Sequence, residues 1–449
     1  MNRKIVKDGL IIFFLALLVR VGYAFLFVEP EYLFTEDQTL YIKLAQQFPD
    51  SGFLGLTPER MPGYPLFIAS IYSIFGEVMW NVILIQILLD SISCIMIATI
   101  AHLLFDKGFW IAGVLSSINL NMVILSSTFL PDTLFLFLFI LFLFSFSQYL
   151  QNKNIRWFFL LTLFISLATL VRPSSYYLLP ILLIGLVGWR LWERDTVIKI
   201  SKLVALYLLV VGTLLGSIHQ RNYQQYGSIA LASNTGSHLL NWVVPATYQY
   251  SGQGSYQEGQ KLAREKLAFV LQNDHLERLP SNPFASSSYQ ANVGKELLFE
   301  FGFMNILKAW VVGSTINLLA PSVAYAPALR AMEHPSFYET EGSGIVDKLL
   351  QYIKNSSGLL YLSILAVGTI ISIIFTILSL LGLFKIFSSV SLVTTTSLIL
   401  LVCYFLAITG PIIGVKYRLP MEPILLLFVV NFLTRFRLLK FSKSSQSKN

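Results

Sequence analysis

Apolar runs of roughly 20 residues recur along this chain from near its start to near its end, each long enough to cross a bilayer as one helix. They fall near 9–29, 79–104, 109–127, 131–150, 156–172, 175–192, 201–219, 357–383, 391–409 and 415–433. Only 12% of the residues are charged, about half of what coats a soluble domain, so most of the surface must face lipid. With every backbone polar group to be satisfied inside the hydrocarbon, such segments are helices. The sequence therefore predicts an all-α polytopic transmembrane bundle of about 10–11 spans, with outer-face juxtamembrane helices and an outer loop region. The first run carries Arg20 and no small-residue cleavage site after it, which reads as a retained span rather than a signal peptide.

Charge orients the bundle. Arg3, Lys4 and Lys7 precede the first span. Lys107, then Lys153 and Arg156, then Arg190, Arg194 and Lys199 occupy alternating short loops, and Arg435, Arg437, Lys440, Lys443 and Lys448 form a basic tail over 434–449. With an even number of spans these lie on one side, which the positive-inside rule makes cytoplasmic. The net charge of +8 is thus topological and does not call for nucleic acid. The tail could also touch anionic lipid, but orientation accounts for it. The segment 306–320 is apolar yet short, with Lys308 at its start. A full crossing would put the tail outside, so it is expected to lie in the interface or dip into the protein.

Within a single membrane domain, 1–449, two long stretches then face outward. Residues 30–80 contain a polar helix-like piece from Asp37 to Phe48 and an apolar helix after Pro62-Gly-Tyr-Pro65. Residues 220–355 are rich in Ser, Asn, Gln, Tyr and Gly, with a charged helix-like patch at 258–271. Long polar loops on one face usually carry function.

The unusual polar residues gather on that outer boundary. Asp37 follows the first span, and Arg60 precedes Met61-Pro62-Gly63. Asp132 opens the fourth span, Arg172 ends the fifth, Arg221 and Asn222 follow the seventh, and Lys416 and Arg418 begin the last. Singly, each has a plain reading. Asp132 suits a helix N-terminus, Arg172, Lys416 and Arg418 suit snorkelling anchors, and Asp37 beside Glu36 suits a solvated face. As a set they describe an anion site beside carboxylates. Arg grips phosphate through paired charge-assisted hydrogen bonds, and a carboxylate within reach of a hydroxyl acts as a general base. Cys94 and Cys403 lie in apolar runs and suggest no disulfide framework. His219, His238, His275 and His334 lack ligand spacing, so the metal is unknown.

The pattern Asp37…Tyr41…Ala45…Arg60-Met-Pro-Gly-Tyr-Pro-Leu-Phe67…Tyr72…Phe75-Gly76, then Pro131-Asp132-Thr-Leu-Phe135, Leu170-Val-Arg-Pro173, Arg221-Asn-Tyr223 with Gly227, and Tyr417-Arg-Leu-Pro420 with Pro423, resembles the GT-C superfamily of membrane glycosyltransferases. The nearest branch is that of the protein O-mannosyltransferases and the aminoarabinose transferases of lipid A. The resemblance implies a polyprenyl-monophosphate sugar donor, transfer with inversion, and a hydroxyl acceptor in the cell envelope. It makes Asp37 the catalytic base and Asp132 a second catalytic acid residue supporting the acceptor or a metal. Arg60, Arg172 and Arg418 become candidates for the donor phosphate. Tyr64, Arg221, Asn222, Tyr223, Lys416 and Tyr417 become candidates for the substrate pocket. Location in a plasma (inner) membrane with an extracytoplasmic site follows, with membrane lipids as partners and a divalent metal left open. Two other readings stay open. One is a glycan polymerase or ligase with a diphosphate-linked donor, and the other a lipid or glycan transporter, which would spread polar residues through the midplane.

Overall fold

The computed structural model describes residues 3–29, 36–52, 57–332, 334–337, 339–342, 344–356 and 358–446, with the side chains of 36, 51 and 436–446 not described. Pro30 and tail residues Arg437, Lys440, Lys443 and Lys448 therefore fall, in whole or in their side chains, outside the described residues. The described chain is helical and contains no strand. In order, the helices are α1 Arg3–Phe27, α2 Glu36–Ser51, α3 Gly63–Phe75, α4 Met79–Phe105, α5 Phe109–Ser117, α6 Leu120–Ser126, α7 Asp132–Asn152, α8 Ile155–Val171, α9 Leu178–Trp192 and α10 Val197–Tyr226. They continue as α11 Thr235–His238, α12 Val244–Ser251, α13 Tyr256–Asn273, α14 Pro283–Phe301, α15 Phe303–Leu319, α16 Pro327–Arg330, α17 Ile345–Asn355, α18 Leu359–Ile386, α19 Leu392–Thr409, α20 Val415–Arg418 and α21 Glu422–Gln446.

Among the described residues, eight helical segments are long and apolar enough to cross a membrane. The shorter apolar helix α8 and the bent pair α5–α6 fall on two further apolar runs read from the sequence. The pair bends by 51° because Asn119 interrupts the run. Its side chain accepts from Met122 N at 3.0 Å and donates to Glu422 Oε2 at 3.0 Å. The chain is a multi-pass membrane protein.

The basic loops meet at one end of the bundle. Lys153 pairs with Glu193 and Arg190 with Asp195. Gln151 Nε2 donates to Leu103 O at 3.1 Å, and Arg435 Nη1 to Ser388 Oγ at 2.7 Å. Trp110 Nε1 donates to Asp8 Oδ2 at 3.1 Å, which brings the start of α1 to the same end. One boundary differs from the sequence reading. Helix α10 continues to Tyr226 before Gly227, at φ +69°, ends it, so Arg221 and Asn222 belong to its last turns rather than to the loop beyond.

Helix α15 enters the protein and returns. It leaves α14 at a 103° bend, and Lys308 Nζ donates to Ser251 O at 2.7 Å. Thr376 Oγ1 donates to Leu318 O at 2.7 Å and Ser372 Oγ to Ala320 O at 3.2 Å. His334 then stacks on Tyr361 at 4.6 Å. From 318 to 334 the chain therefore runs back along α18 toward the start of that helix.

The deepest charges are paired. Arg20 and Asp90 are fully buried with Nε and Oδ2 2.6 Å apart. The guanidinium also donates to Ser117 O at 3.0 Å and Ser116 O at 3.3 Å, so one cation ties α1, α4 and α5 together. In the loop region, Lys348 is also fully buried. Its Nζ donates to Gln249 Oε1 at 2.8 Å and lies 4.9 Å from the ring centre of Phe337. Burial pulls this amine down from 10.5 to about 7.

Two outcomes follow. Arg20→Met strands Asp90 in hydrocarbon and is expected to destabilise the protein by about 3–5 kcal/mol, while adding Asp90→Leu recovers most of the loss; thermal unfolding in detergent measures both. For Lys348, an unfolded chain binds the proton more tightly than the folded one, so stability rises with pH between about 7 and 10.5 and is weakest below that window. Lys348→Met should flatten this rise in a pH series of melting curves.

Candidate active site

The end of the bundle opposite the basic loops is built by three chain segments brought together. The first is α2 with the loop 57–62. Asp37 stands in the first turn of α2, and Arg60 Nη2 donates to its Oδ1 at 2.8 Å, the two side chains being 46% and 26% exposed. The loop is anchored by Ser233 N donating to Pro58 O at 3.0 Å. Gly63 follows, and a Cβ there would come 2.7 Å from Leu170 O. Only glycine lets the start of α3 close on the end of α8, which is what brings Arg60 toward Arg172.

The second segment joins α7 to α8. Asp132, after Pro131, opens α7 and pairs with Arg172, at the C-terminus of α8. The Asp132 side chain is 3% exposed, and the Arg172 guanidinium lies 5.9 Å from the Phe135 ring. The two acids therefore differ. Asp37 is open to an incoming group, whereas Asp132 is enclosed and orients Arg172.

The third segment is α20 with the returning chain after α15. Asn317 sets it: its Nδ2 donates to Ile412 O at 2.8 Å and its Oδ1 accepts from Gly414 N at 2.9 Å. Lys416 then lies within electrostatic reach of Tyr417, Tyr325, Asp132 and Arg172. Tyr325 stands at the centre, facing Lys416, Asp132, Arg330 and Arg172, with Arg330 5.2 Å from its ring centre. Of the charged groups that act most strongly on Tyr325, three are cations, Lys416, Arg330 and Arg172, and one is an acid, Asp132. His238 is close by: burial, and then the Lys416 charge, hold its imidazole below the usual value.

Tyr41 connects the first two segments. One turn beyond Asp37, it faces Arg60, Arg172, Asp37 and Asp132, and burial raises its phenol pKa. Burial opposes the charge on Arg60, but Tyr41 and Asp37 outweigh it and raise the guanidinium pKa. Tyr41 packs edge-on against Tyr64, ring centres 5.0 Å apart. Tyr64 is fully buried, and its hydroxyl donates to Gln86 Oε1 at 2.7 Å. Gln86 Nε2 donates in turn to Thr128 O at 2.7 Å, in the turn that leads to Asp132. Tyr64 is thus a support beneath the site.

The other expected residues are placed apart. Arg418 is 3% exposed, pairs with Glu422 at 2.7 Å and donates to Leu318 O at 2.5 Å, so it holds helices together at the floor of the third segment. Arg221 Nε donates to Asn222 Oδ1 at 2.9 Å, and Asn222 Nδ2 to Ala230 O at 2.7 Å, pinning the chain after α10. Tyr223 is 63% exposed. His219 meets Ile229 O at 2.7 Å. Among the described residues no three His, Cys, Asp or Glu side chains converge as a metal-binding group. Tyr325 and Arg330 were missed by sequence reasoning because nothing marks them in a polar loop. Gln86 did leave a signal, a lone amide inside an apolar run.

Residues 58–215 match the profile of the dolichyl-phosphate-mannose-protein mannosyltransferase family. Among solved structures, the fold is similar to that of the archaeal oligosaccharyltransferase AglB from Archaeoglobus fulgidus, in complex with an inhibitory peptide and a dolichol-phosphate. The TM-score is 0.53 at 11% identity, covering 100% of this chain and 52% of that one. The chain thus spans about half the length of the oligosaccharyltransferase. ArnT from Cupriavidus metallidurans bound to undecaprenyl phosphate aligns at a TM-score of 0.35 and 13% identity, over 96% of this chain and 76% of that one. Comparison with curated proteins gives no match. The comparisons thus give a match to the mannosyltransferase profile over residues 58–215 and a fold similar to that of the oligosaccharyltransferase.

Gln86→Leu would leave the Tyr64 hydroxyl and the Thr128 carbonyl without their partner, and is expected to destabilise the protein by about 1–3 kcal/mol. Gln86→Glu, whose buried carboxylate would face the Thr128 carbonyl acceptor to acceptor, should destabilise the protein at least as much as Leu at neutral pH; paired melting curves compare them.

Proposed function

We propose that this protein transfers a sugar from a polyprenyl-monophosphate donor to a hydroxyl acceptor of the cell envelope, with inversion at the anomeric carbon. The observation that carries the reading is an accessible carboxylate, Asp37, linked through Arg60 and Tyr41 to the cation-rich cluster around Tyr325. A phosphodiester donor brings about one negative charge, and its departing monoester carries close to two at neutral pH. A cluster in which cations outnumber acids favours the second state over the first, and so stabilises the charge as it develops.

In this reading Asp37 takes the proton from the acceptor hydroxyl. The acceptor oxygen attacks the anomeric carbon from the side opposite the phosphate. The carbon–oxygen bond to phosphate breaks, its electron pair passing to the phosphate oxygen. Arg172 and Lys416 hold that phosphate, with Arg330 at the rim and Tyr417 beside Lys416. Arg60, bound to Asp37 before substrate arrives, is drawn toward the donor phosphate, which frees the carboxylate to meet the acceptor. Asp132 positions Arg172. Arg418, engaged with Glu422, supports α20 from below. With the basic end cytoplasmic, the site faces outward across a plasma membrane, where lipid-linked sugars rather than nucleotide sugars are presented.

Asp37→Asn is expected to lower the transfer rate by about 10²–10⁴-fold, the usual contribution of a general base, without changing the melting curve. Unchanged turnover with a purified lipid donor would remove Asp37 from the role. Lys416→Ala should raise the KM for the donor while leaving that for the acceptor. In donor competition, a polyprenyl-monophosphate sugar should displace a diphosphate-linked one. The reverse order would favour a polymerase or ligase, and sugar flux across vesicles without bond formation would favour a transporter.

A further inference from the structure

Helix α17 has two unlike faces. Tyr352 is 7% exposed and Lys348 is fully buried, and both point into the protein. On the other side, Val346 is 68% exposed, Leu349 44%, Leu350 62% and Ile353 54%. The spacing of these four, i, i+3, i+4 and i+7, makes one continuous apolar stripe along the helix. A stripe of this kind open to water would be an unusual surface for an isolated loop.

The position of the helix names what covers it. Three residues, 356–358, join α17 to α18, a reach of roughly 10 Å at most. Tyr352 and Tyr361 hydroxyls bond to each other, tying α17 to the first turn of α18. That span has 28 residues, about 42 Å of helix, which matches a bilayer with its headgroup layers. Its first turn therefore sits at headgroup level. Leu359 and Leu360, 82% and 64% exposed, continue the apolar stripe of α17 onto the lipid-facing surface of α18. Asp347 and Lys354 are exposed on the same helix, and Lys354 can reach up to lipid phosphates with its stem lying along the apolar surface.

We infer that α17 is an interfacial helix whose Val346–Leu350–Ile353 stripe is seated in the lipid leaflet at the site end of the bundle, while Lys348 and Tyr352 hold its other face to the protein. The helix is a strap. Lys348 grips Gln249 of α12, and α12 joins Ala309 of α15 and Ile413 before α20 in one buried cluster. The membrane surface is thereby linked mechanically to the segment that carries Lys416.

Site-directed spin labelling of the full chain in phosphatidylcholine–phosphatidylglycerol vesicles tests this. Exposed Cys403 is first changed to Ser, and buried Cys94 is retained. Single cysteines at Val346, Leu350, Ile353, Asp347 and Lys354 then carry the label, all on exposed positions whose change should leave the fold intact. Labels at 346, 350 and 353 are expected roughly 5–10 Å below the phosphate level, open to oxygen and shielded from a water-soluble nickel chelate, with 347 and 354 open to nickel. Equal nickel access at all five positions would overturn the inference. So would spin–spin broadening between labels at 350 on different copies, which would make a second copy the occupant. Leu350→Asp adds an independent readout: amide exchange over 345–355 should quicken in vesicles, and an unchanged rate would also count against a lipid seat.

Discussion

A charge in hydrocarbon has no water to solvate it, so it must be paired within the protein or placed at an end of the bundle. That constraint organises the molecule. Arg20 meets Asp90 between α1, α4 and α5, and Arg418 meets Glu422 where α20 turns into α21. Both pairs are buried, and both serve to join helices. Most of the remaining charge is displaced to the two ends. One end collects the basic loops. The other collects Asp37, Arg60, Asp132, Arg172 and Lys416, the residues of the proposed site.

The site depends on neutral parts as much as on charged ones. Gln86 reaches from α4 to Tyr64 on one side and to the Thr128 carbonyl on the other, so a single amide sets the spacing between the Asp37 segment and the Asp132 segment. Asn317 does the same for the loop before Lys416. Each amide replaces what would otherwise be unsatisfied backbone or hydroxyl groups in a dry interior, where such groups are costly. The re-entrant path of α15 belongs to this logic, because its end supplies the carbonyl of Leu318 to both Arg418 and Thr376.

Much of the fold was legible from the amino-acid order, because span length and hydropathy are local properties. The positions of Asp37, Arg60, Asp132, Arg172 and Lys416 were legible for the same reason: charges at span boundaries stand out against apolar runs. Their pairings were not. Arg418 reads as one more boundary cation beside Lys416, two residues away. Helical geometry sends Lys416 toward Arg172 and Arg418 toward Glu422, so neighbours in sequence have different surroundings. Arg221 and Asn222 look like loop residues because the apolar run fades before them, yet α10 includes them and runs about one further turn to Tyr226. Tyr325 and Arg330 lie in a polar loop with no periodic pattern, and only its return along α18 brings them to the site.

The sequence by itself determined that the chain is a membrane bundle, which end is basic, and which boundary residues are unusual enough to suggest a GT-C site. These follow from the energy of placing each residue in lipid or in water, a quantity set largely one segment at a time. Tertiary structure alone decided which acid is accessible and which enclosed, and which cations share one pocket. It also decided where Lys348 is buried and how the chain after 303–319 runs back along α18. Those outcomes depend on partners up to about 300 residues away in the chain, as Asn121 and Glu422 are, and no local pattern encodes a contact of that range.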